Sequence, residues 1–278
     1  MTIRLFLFLV CGFGGMLGAA EPVVTADSAL LFDANTGRVL FKQNENERRP
    51  VASTQKLLTA LLIAENGNLS KPVVIVKSDT LAEPTKLYLK AGDSYTRQQL
   101  LTALLVKSPN DAARALARDN AGDVSSFAEK MNRRMAQLGG NSSNFVNPNG
   151  LPAGNQYSSA RDMARVARAA YFNPLLRDIM RTKYYTFRHA SGKTTTLKNT
   201  NRVLRAYSFC NGMKTGYTDA AGHCLISSGS YNGKDVIAVV LGDNKSRIWE
   251  LSASLLAYGL GIDEMQMASL RVAPAKDE

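Results

Sequence analysis

The distribution of strands and helices along the chain constrains its fold more than any other feature. Residues 29–33 and 38–41 are strand-like runs joined by Asp, Asn and Gly, which predicts a hairpin near the N-terminus. Residues 223–228 and 236–241 predict a second hairpin near the C-terminus. Because strands lie at both ends and helical periodicity lies between them, we expect an α+β fold with one antiparallel sheet built from both chain ends.

The middle of the chain predicts a helical lobe inserted between the two halves of the sheet. The apolar residues have helical spacing over five stretches, which are 54–64, 97–105, 112–121, 124–138 and 159–170. Residues 184–187 and the segment that enters Lys214 predict further strands, and residues 248–258 predict a closing amphipathic helix. We expect the functional site in a groove between the sheet and the helical lobe.

The N-terminus has the pattern of a secretory signal peptide. One arginine precedes an apolar run over 5–17, and small residues end the segment at Ala20. The run is short for a membrane span, and an uncleaved anchor is the alternative. We therefore expect a signal peptide over 1–20 that is cleaved near Ala20, one domain over 21–265 and a C-terminal tail over 266–278. Such a protein is exported to the periplasm or cell envelope.

The charge balance bears on the partners of the chain. Lys and Arg outnumber Asp and Glu by 34 to 23, which gives a formal net charge of +11. The basic residues are scattered and no run interleaves them with aromatic residues, which argues against a nucleic-acid partner. Peripheral association with an anionic wall polymer or a lipid surface fits better, and an ordinary solvated surface is the alternative.

Two cysteines follow the predicted signal peptide, Cys210 and Cys224. They could pair in an oxidising compartment, because their number is even. Both lie in apolar, strand-like surroundings, where a free cysteine behaves as a small core residue. The sequence therefore favours two free thiols over a disulfide.

The most informative motif is Ser53-Thr54-Gln55-Lys56, at the start of the first predicted helix. Residues three apart share a helix face, so the Lys56 ammonium can lie beside the Ser53 hydroxyl. A serine hydroxyl becomes a nucleophile when a base takes its proton, and a lysine that burial holds partly neutral can be that base. Alone the motif is weak, because chance produces such spacings in a chain of this length.

Two further motifs follow. Ser108-Pro109-Asn110 precedes a predicted helix, where Ser108 could relay a proton and Asn110 could hold a substrate carbonyl. A plain helix cap is the simpler interpretation of this motif. Lys214-Thr215-Gly216 lies on a late strand, where its cation and hydroxyl suit an anionic peptide terminus and its glycine permits close approach of substrate backbone. An exposed edge-strand lysine that opposes aggregation is the alternative for Lys214.

The order of the three motifs carries the functional prediction. S-x-x-K, S-x-N and K-T-G in this order are the signature of penicillin-binding proteins and class A β-lactamases. With these motifs the chain resembles the low-molecular-mass penicillin-binding proteins, the D-Ala-D-Ala carboxypeptidase family of serine peptidases. The likeness covers residues 24–262. It includes seven segments in and around the motifs, which are 50–60, 87–93, 147–151, 157–164, 199–201, 212–218 and 221–225.

The resemblance implies a β-lactamase/transpeptidase-like fold and a two-step acyl transfer. Ser53 would attack the bond between the two terminal D-alanines of a peptidoglycan stem peptide, with Lys56 accepting its proton and Ser108 helping to return a proton to the leaving D-alanine. Water would then release the acyl-enzyme. β-Lactam antibiotics would acylate Ser53, and the family uses no metal or cofactor.

The resemblance also implies how the substrate binds. Asn110 would orient the peptide, and Lys214 and Thr215 would bind its terminal carboxylate beside Gly216. The backbone N–H groups of Ser53 and Tyr217 would hold the oxyanion.

Three features depart from the common family pattern. Many members carry a β-rich C-terminal domain and an amphipathic anchoring helix, for which the residues beyond 265 are too few, so we expect a soluble or only peripherally attached protein. Some short relatives are endopeptidases that cut D-alanyl crosslinks, which leaves that activity as an alternative. Pro109 stands where the family often has glycine, and it stiffens the turn.

Other enzyme classes fit the sequence less well. A class A β-lactamase deacylates with a glutamate between its second and third motifs, and this chain has none between Glu129 and Glu250. A Ser-His-Asp hydrolase needs a histidine base, and only His189 and His223 exist. The chain has no G-x-S-x-G elbow, and we expect His223 to be a packing or surface residue. Two isolated histidines also argue against a zinc peptidase. An inactive wall-binding module remains an alternative, although nucleophile and base are both present.

Overall fold

The computed structural model describes residues 21–273, so the predicted signal peptide lies outside the described residues. The strands are β1 (Ser28–Asp33), β2 (Val39–Gln43), β3 (Pro72–Val74), β4 (Ser94–Thr96), β5 (Tyr184–Arg188), β6 (Thr194–Lys198), β7 (Cys210–Thr218), β8 (Gly222–Tyr231) and β9 (Lys234–Asp243). The helices are α1 (Lys56–Glu65), α2 (Arg97–Val106), α3 (Asn110–Ala121), α4 (Val124–Gln137), α5 (Ala160–Phe172), α6 (Pro174–Met180), α7 (Arg202–Ala206), α8 (Ile248–Leu260) and α9 (Glu264–Ser269).

The main sheet confirms the prediction of a sheet built from both chain ends. Its strand order is β2-β1-β9-β8-β7, and every neighbouring pair is antiparallel. The predicted hairpin between β8 and β9 turns at Asn232 and Gly233, which both have positive φ, at 47° and 75°. A two-residue turn of this kind matches the twist of the strands it joins. Strand β7 therefore lies at one edge of the sheet.

The two faces of the sheet bury different elements. Successive side chains of a strand point to opposite faces. Leu30 and Phe32 of β1 accordingly pack with the helical lobe, whereas Leu31 packs with α8 on the other side. The helical lobe is therefore an insertion that covers one face, as its position in the sequence predicts.

Helix α1 is the central helix of the lobe and starts later than the sequence predicts. Residues Ala52–Gln55 form a 3-10 turn, and the α-helix begins only at Lys56. Most residues of α1 are buried, including Lys56 itself. A helix that is apolar on nearly all sides lies in the interior of the protein. The packing around α1 therefore fixes the position of its first residues.

The predicted strand at 184–187 does not join the main sheet. It forms β5, which pairs with β6 in a separate two-stranded sheet, and β6 was not predicted from the sequence. In this hairpin Phe187 and Leu197 are the buried side chains, and the rest of β6 is threonine and lysine that are exposed or half-buried. Such a short, polar strand has too little apolar alternation to be recognised from sequence.

Both cysteines of the described chain are free and buried. Cys210 lies opposite Gly229 and Cys224 lies opposite Gly216, so they are six residues apart along the register of β7 and β8. Six residues of strand span about 20 Å, whereas a disulfide needs Cα atoms within about 7 Å. Burial raises the pKa of Cys210 to about 12 and that of Cys224 to about 11, as expected for core thiols.

The domain does not end at residue 265 as predicted, because α9 runs through that position and the residues after it pack against the domain. The Val272 backbone N–H donates to the carbonyl of Ala206, and Arg271 bridges Tyr207. Among residues 21–273, no helix has the length and apolar character needed to cross a bilayer.

Candidate active site

Ser53 lies in the 3-10 turn Ala52–Gln55, which two other segments hold from both sides. A Cβ atom at Gly150 would lie 2.1 Å from the Ala52 carbonyl oxygen, and one at Gly216 would lie 2.8 Å from the Ser53 nitrogen. Ala52 itself has a φ of 48°, an uncommon conformation for a residue with a side chain. Strain of this kind persists where the surroundings over-determine the backbone, as they do at many functional sites.

Lys56 has three hydrogen-bond acceptors around its amine. Its Nζ lies 2.7 Å from Ser53 Oγ, 2.7 Å from Asn110 Oδ1 and 2.8 Å from the Asn149 carbonyl oxygen. The amide oxygen and the carbonyl oxygen can only accept, so they bind two N–H groups of the amine. When Lys56 is neutral, its lone pair therefore points toward Ser53 Oγ. In this geometry a neutral Lys56 could accept the serine proton.

Burial and the nearby charge of Lys214 favour the neutral form of Lys56. Burial is the largest cause that holds the pKa of Lys56 well below its usual value, and the positive charge of Lys214 lowers it further. The negative charge of Asp111 opposes both. Burial also lowers the pKa of Lys214, to about 7. The site thus contains two buried lysines whose ammonium forms disfavour each other.

The second motif is not a helix cap, so the simpler interpretation of Ser108-Pro109-Asn110 is wrong. Pro109 occupies the cap position of α3, where no side chain makes a capping hydrogen bond, and its φ of −64° is the value that a proline ring imposes. Asn110 is buried, and its amide spans Lys56 Nζ and the Glu83 carbonyl, to which Nδ2 donates at 2.9 Å. Pro109 thus stiffens a turn whose backbone has the φ that a proline ring imposes.

The Asp111 side chain stabilises the turn at Ser108-Pro109-Asn110. Its buried carboxylate accepts hydrogen bonds from the backbone N–H groups of Leu87 and Leu89, at 3.1 and 3.2 Å, and from that of Ala112. Burial raises the pKa of Asp111, and these backbone hydrogen bonds counteract the shift. The carboxylate therefore connects residues 87–89 to the start of α3 and supplies a negative charge near Lys56.

A cavity of about 590 Å³ opens over Ser53, between the helical lobe and edge strand β7. Ser108 lines it from the lobe, and Thr215, Gly216 and Tyr217 line it from β7. The predicted site residues therefore form one constellation. Ser53, Ser108 and the β7 residues face the cavity, and Lys56 and Asn110 lie beneath Ser53. No carboxylate lines the cavity among the described residues.

Lys214 is not the exposed edge-strand lysine that the sequence offered as an alternative. It is fully buried, and its Nζ donates to the Thr215 carbonyl at 2.8 Å. The cavity wall is formed instead by Thr215, whose Oγ1 donates to Thr200 Oγ1 at 2.7 Å. A strand at the edge of a sheet can bury such a side chain because the helical lobe covers that face. Lys214 therefore lies beneath the cavity wall, and its positive charge lowers the pKa of Lys56.

The packing of β7 on the Ser53 turn requires a glycine at position 216. The sequence suggested only the close approach of substrate as a reason for this glycine. A Cβ atom there would lie 2.8 Å from the Ser53 nitrogen, 2.9 Å from the Thr54 nitrogen and 3.0 Å from Ala52 Cβ. Strand β7 thus packs directly on the turn that carries the nucleophile, and any side chain at this position would separate the two.

Comparison with known families decides what this constellation belongs to. The model of the D-alanyl-D-alanine carboxypeptidase family matches residues 16–245, most of the chain and all three motifs. The chain belongs to this family. Its members are serine peptidases, and the matched range includes Ser53 and Lys56.

Individual relatives agree with this assignment. The D-alanyl-D-alanine carboxypeptidase DacF of Bacillus subtilis is 35% identical over 86% of this chain and 64% of its own length. The D-alanyl-D-alanine endopeptidase of Escherichia coli is 32% identical over 80% of this chain and 73% of its length. The crystal structure of a D-alanyl-D-alanine carboxypeptidase from Mycobacterium tuberculosis superposes with a TM-score of 0.83 at 31% identity, covering 89% of this chain and 96% of that one. The chain thus spans just under two thirds of the Bacillus relative and nearly all of the mycobacterial structure.

Three residues at this site were not predicted as site residues from the sequence. The Asn149 carbonyl accepts from both Lys56 and Ser53, at 2.8 and 3.1 Å, although only the likeness of its segment to the family pointed to it. Thr200 binds Thr215, as described above. His223 was expected to be a packing or surface residue, but it lines the cavity and stacks on Tyr217 with ring centroids 4.4 Å apart. The N-P-N-G turn, Asn147 to Gly150, was the only local signal for the Asn149 contact.

Proposed function

We propose that this chain is a serine-type D-alanyl-D-alanine carboxypeptidase that removes the terminal D-alanine of peptidoglycan stem pentapeptides. The observation that carries the proposal is the environment of Lys56 Nζ, where two pure acceptors direct the lone pair of the neutral amine at Ser53 Oγ. Membership of the D-alanyl-D-alanine carboxypeptidase family supports the choice of substrate.

Acylation follows from this arrangement. Ser53 Oγ attacks the carbonyl carbon of the penultimate D-alanine, and its proton passes to neutral Lys56. The negative charge moves to the carbonyl oxygen, where the backbone N–H groups of Ser53 and Tyr217 would stabilise it. When the tetrahedral intermediate collapses, its C–N bond breaks and the electron pair leaves on the D-alanine nitrogen. That nitrogen takes the proton back from Lys56 through the Ser108 hydroxyl.

Deacylation repeats these steps with water as the nucleophile. Lys56 accepts a proton from water as the oxygen attacks the ester carbonyl, and the Ser53 oxygen leaves and regains a proton. Thr215 would bind the terminal carboxylate of the substrate, with the charge of buried Lys214 behind it. The carboxylate of a β-lactam would dock in the same way, so penicillin would acylate Ser53.

Mass spectrometry of the purified chain tests the proposal directly. After incubation with a stem pentapeptide, we expect release of one D-alanine, and after incubation with penicillin we expect one adduct on Ser53. The Ser53→Ala variant should show neither reaction. An intact pentapeptide together with an unlabelled wild-type protein would instead support an inactive wall-binding module.

A second candidate function is endopeptidase cleavage of D-alanyl crosslinks. It is supported by the similarity to the Escherichia coli endopeptidase, which is nearly as great as the similarity to the carboxypeptidases. A crosslinked peptide dimer offered beside the pentapeptide separates the two activities. Carboxypeptidase action predicts faster turnover of the pentapeptide, and endopeptidase action predicts the reverse.

The pH dependence of acylation should report the charges around Lys56. Because Lys56 must be neutral to act as a base, the acylation rate should rise with pH and level off well below the usual pKa of a lysine. The positive charge of Lys214 holds the pKa of Lys56 down, so Lys214→Met should raise that pKa and shift the midpoint of the profile to higher pH. The measurement is the rate of penicillin acylation from pH 4 to pH 10 for both proteins.

Asp111→Asn supplies the opposite change. The negative charge of Asp111 raises the pKa of Lys56, so its removal should lower that pKa and move the midpoint to lower pH. Opposite shifts in the two variants would be hard to obtain from general loss of structure. Shifts in the same direction, or none in either variant, would show that Lys56 is not the titrating base.

We also propose that the chain is exported to the periplasm or cell envelope, with a signal peptide removed near Ala20. The apolar run over 5–17 and the small residues that follow support export. The formal net charge of +11 supports peripheral association with anionic wall polymer or lipid.

A further inference from the structure

The cavity over Ser53 has a basic extension, which is the part lined by α7 and the start of α8. Thr215 donates to Thr200, which lies just before α7, and Arg202, Arg205 and Trp249 line the extension. Lys107 and Lys198 add two further cations to its wall. No aspartate or glutamate lies among the lining residues within 21–273. This extension therefore combines positive charge with an aromatic surface.

Arg202 is the best-defined cation of the extension. Its guanidinium lies over the Trp249 ring, 5.2 Å from the centroid, while the side chain remains exposed. It forms no ion pair with any residue that the structure describes. Stacking on an aromatic ring orients a guanidinium without occupying its five N–H donors. Arg202 is thus held at the cavity wall with its donors available.

A simple carboxypeptidase substrate would leave this extension empty. Such a substrate ends at the carboxylate that Thr215 is proposed to bind, and its leaving group is a single D-alanine. Cavities of about 300–1,000 Å³ hold ligands much larger than one amino acid, and this cavity has a volume of about 590 Å³. The acyl part of the peptide occupies some of that space, and the basic extension shares the cavity with Thr215, the residue proposed to bind the terminal carboxylate.

We propose that Arg202, Trp249 and Arg205 form a subsite for an acidic group on the leaving-group side of the scissile bond. The inference rests on the proposed acyl transfer at Ser53 and names its substrate class. The preferred substrates are D-alanyl peptides whose leaving amine belongs to an acidic residue, as an acidic crosslinked peptide would supply. The covalent step is unchanged: the C–N bond breaks, Ser53 keeps the acyl group, and the leaving amine takes the proton.

Trp249 is the only tryptophan of the chain, so its fluorescence reports binding at this subsite. The probes are two acylated peptides that differ in one residue, one ending in D-Ala-D-Ala and one in D-Ala-D-Glu. They are titrated into the Ser53→Ala variant, which binds without turnover. We expect the D-Glu peptide to change the fluorescence and to bind about fivefold tighter, the advantage of one partly exposed ion pair.

Two matched variants test whether Arg202 is the source of the tighter binding of the D-Glu peptide. In Ser53→Ala/Arg202→Gln, the two peptides should bind equally, whereas Ser53→Ala/Arg133→Gln should keep the difference, because Arg133 is an exposed arginine of α4 outside the cavity. With turnover permitted, the ratio of kcat/KM for the two peptides should fall about fivefold in Arg202→Gln and fall with added salt in the wild-type enzyme.

The outcomes separate this proposal from the proposed function. Equal binding of the two peptides to Ser53→Ala, or a preference for D-Glu that survives Arg202→Gln, would overturn the subsite. The penicillin adduct on wild-type Ser53 is measured independently. Its absence would reject the acyl-transfer mechanism, and its presence without any preference for the acidic peptide would reject the subsite alone.

Discussion

Lys56→Met is expected to slow the acylation of Ser53 by penicillin about a thousandfold, the usual contribution of a positioned general base. Methionine has nearly the length of lysine but no amine, so Ser53 Oγ loses the base that lies 2.7 Å away. The fold should survive, because an apolar side chain suits a fully buried position better than an amine does. Stopped-flow measurement of penicillin acylation gives the rate, and thermal unfolding verifies the fold.

Lys77→Met is the matched control for this change. Lys77 lies exposed in the 3-10 turn Lys77–Leu81, away from the cavity, so the variant should acylate at the wild-type rate. An acylation rate of folded Lys56→Met within tenfold of wild type would mean that another group takes the Ser53 proton. The assignment of Lys56 as the base would then be abandoned.

Gly216→Ala is expected to reduce acylation about a hundredfold, the effect of displacing a reacting group by about 1 Å. The new Cβ would lie 2.8 Å from the Ser53 nitrogen and 2.9 Å from the Thr54 nitrogen, and backbone cannot yield as a flexible side chain can. Strand β7 and the 3-10 turn must therefore move apart. This movement displaces the nucleophile and the Ser53 N–H group that would bind the oxyanion.

Gly154→Ala is the control for adding a methyl group to a glycine. No atom lies within 4 Å of a Cβ at that position, so acylation should stay at the wild-type rate. The acylation rates and the melting temperatures of both variants are measured together. A folded Gly216→Ala protein that acylates within threefold of wild type would show that the packing of β7 on the Ser53 turn does not position the nucleophile.

Local sequence signals predicted the parts of the fold that depend on local chemistry. The turn at Asn232-Gly233 and the alternation in β8 and β9 identify their hairpin from residue type alone. The helical spacing of the lobe predicted α2, α4 and α5 to within a few residues. The order of S-x-x-K, S-x-N and K-T-G predicted which residues gather at the site, because each motif lies on an element with a defined place in the fold.

Contacts between distant segments were not predictable in the same way. The Asn149 carbonyl is 93 residues from Lys56, and the N-P-N-G turn that contains it predicts a loop without showing which residue the loop meets. The weakly patterned strand β6 was missed for a related reason, because its pairing with β5 is defined by a partner strand more than by its own residues. The stacking of Arg202 on Trp249 likewise joins α7 to α8.

By itself the sequence predicted that Ser53 and Lys56 lie side by side, the α+β class, the sheet built from both chain ends and the family. These depend on residue type and spacing, which a linear chain displays directly. Only the tertiary structure decided that Lys214 is buried under β7, that Gly216 is glycine because the Ser53 turn packs on it, and that Asn110 and Asn149 orient Lys56. The physical reason is that burial and close approach depend on what the opposite element contributes. A sequence pattern shows which side of a strand or helix is apolar, but not which atoms it will meet.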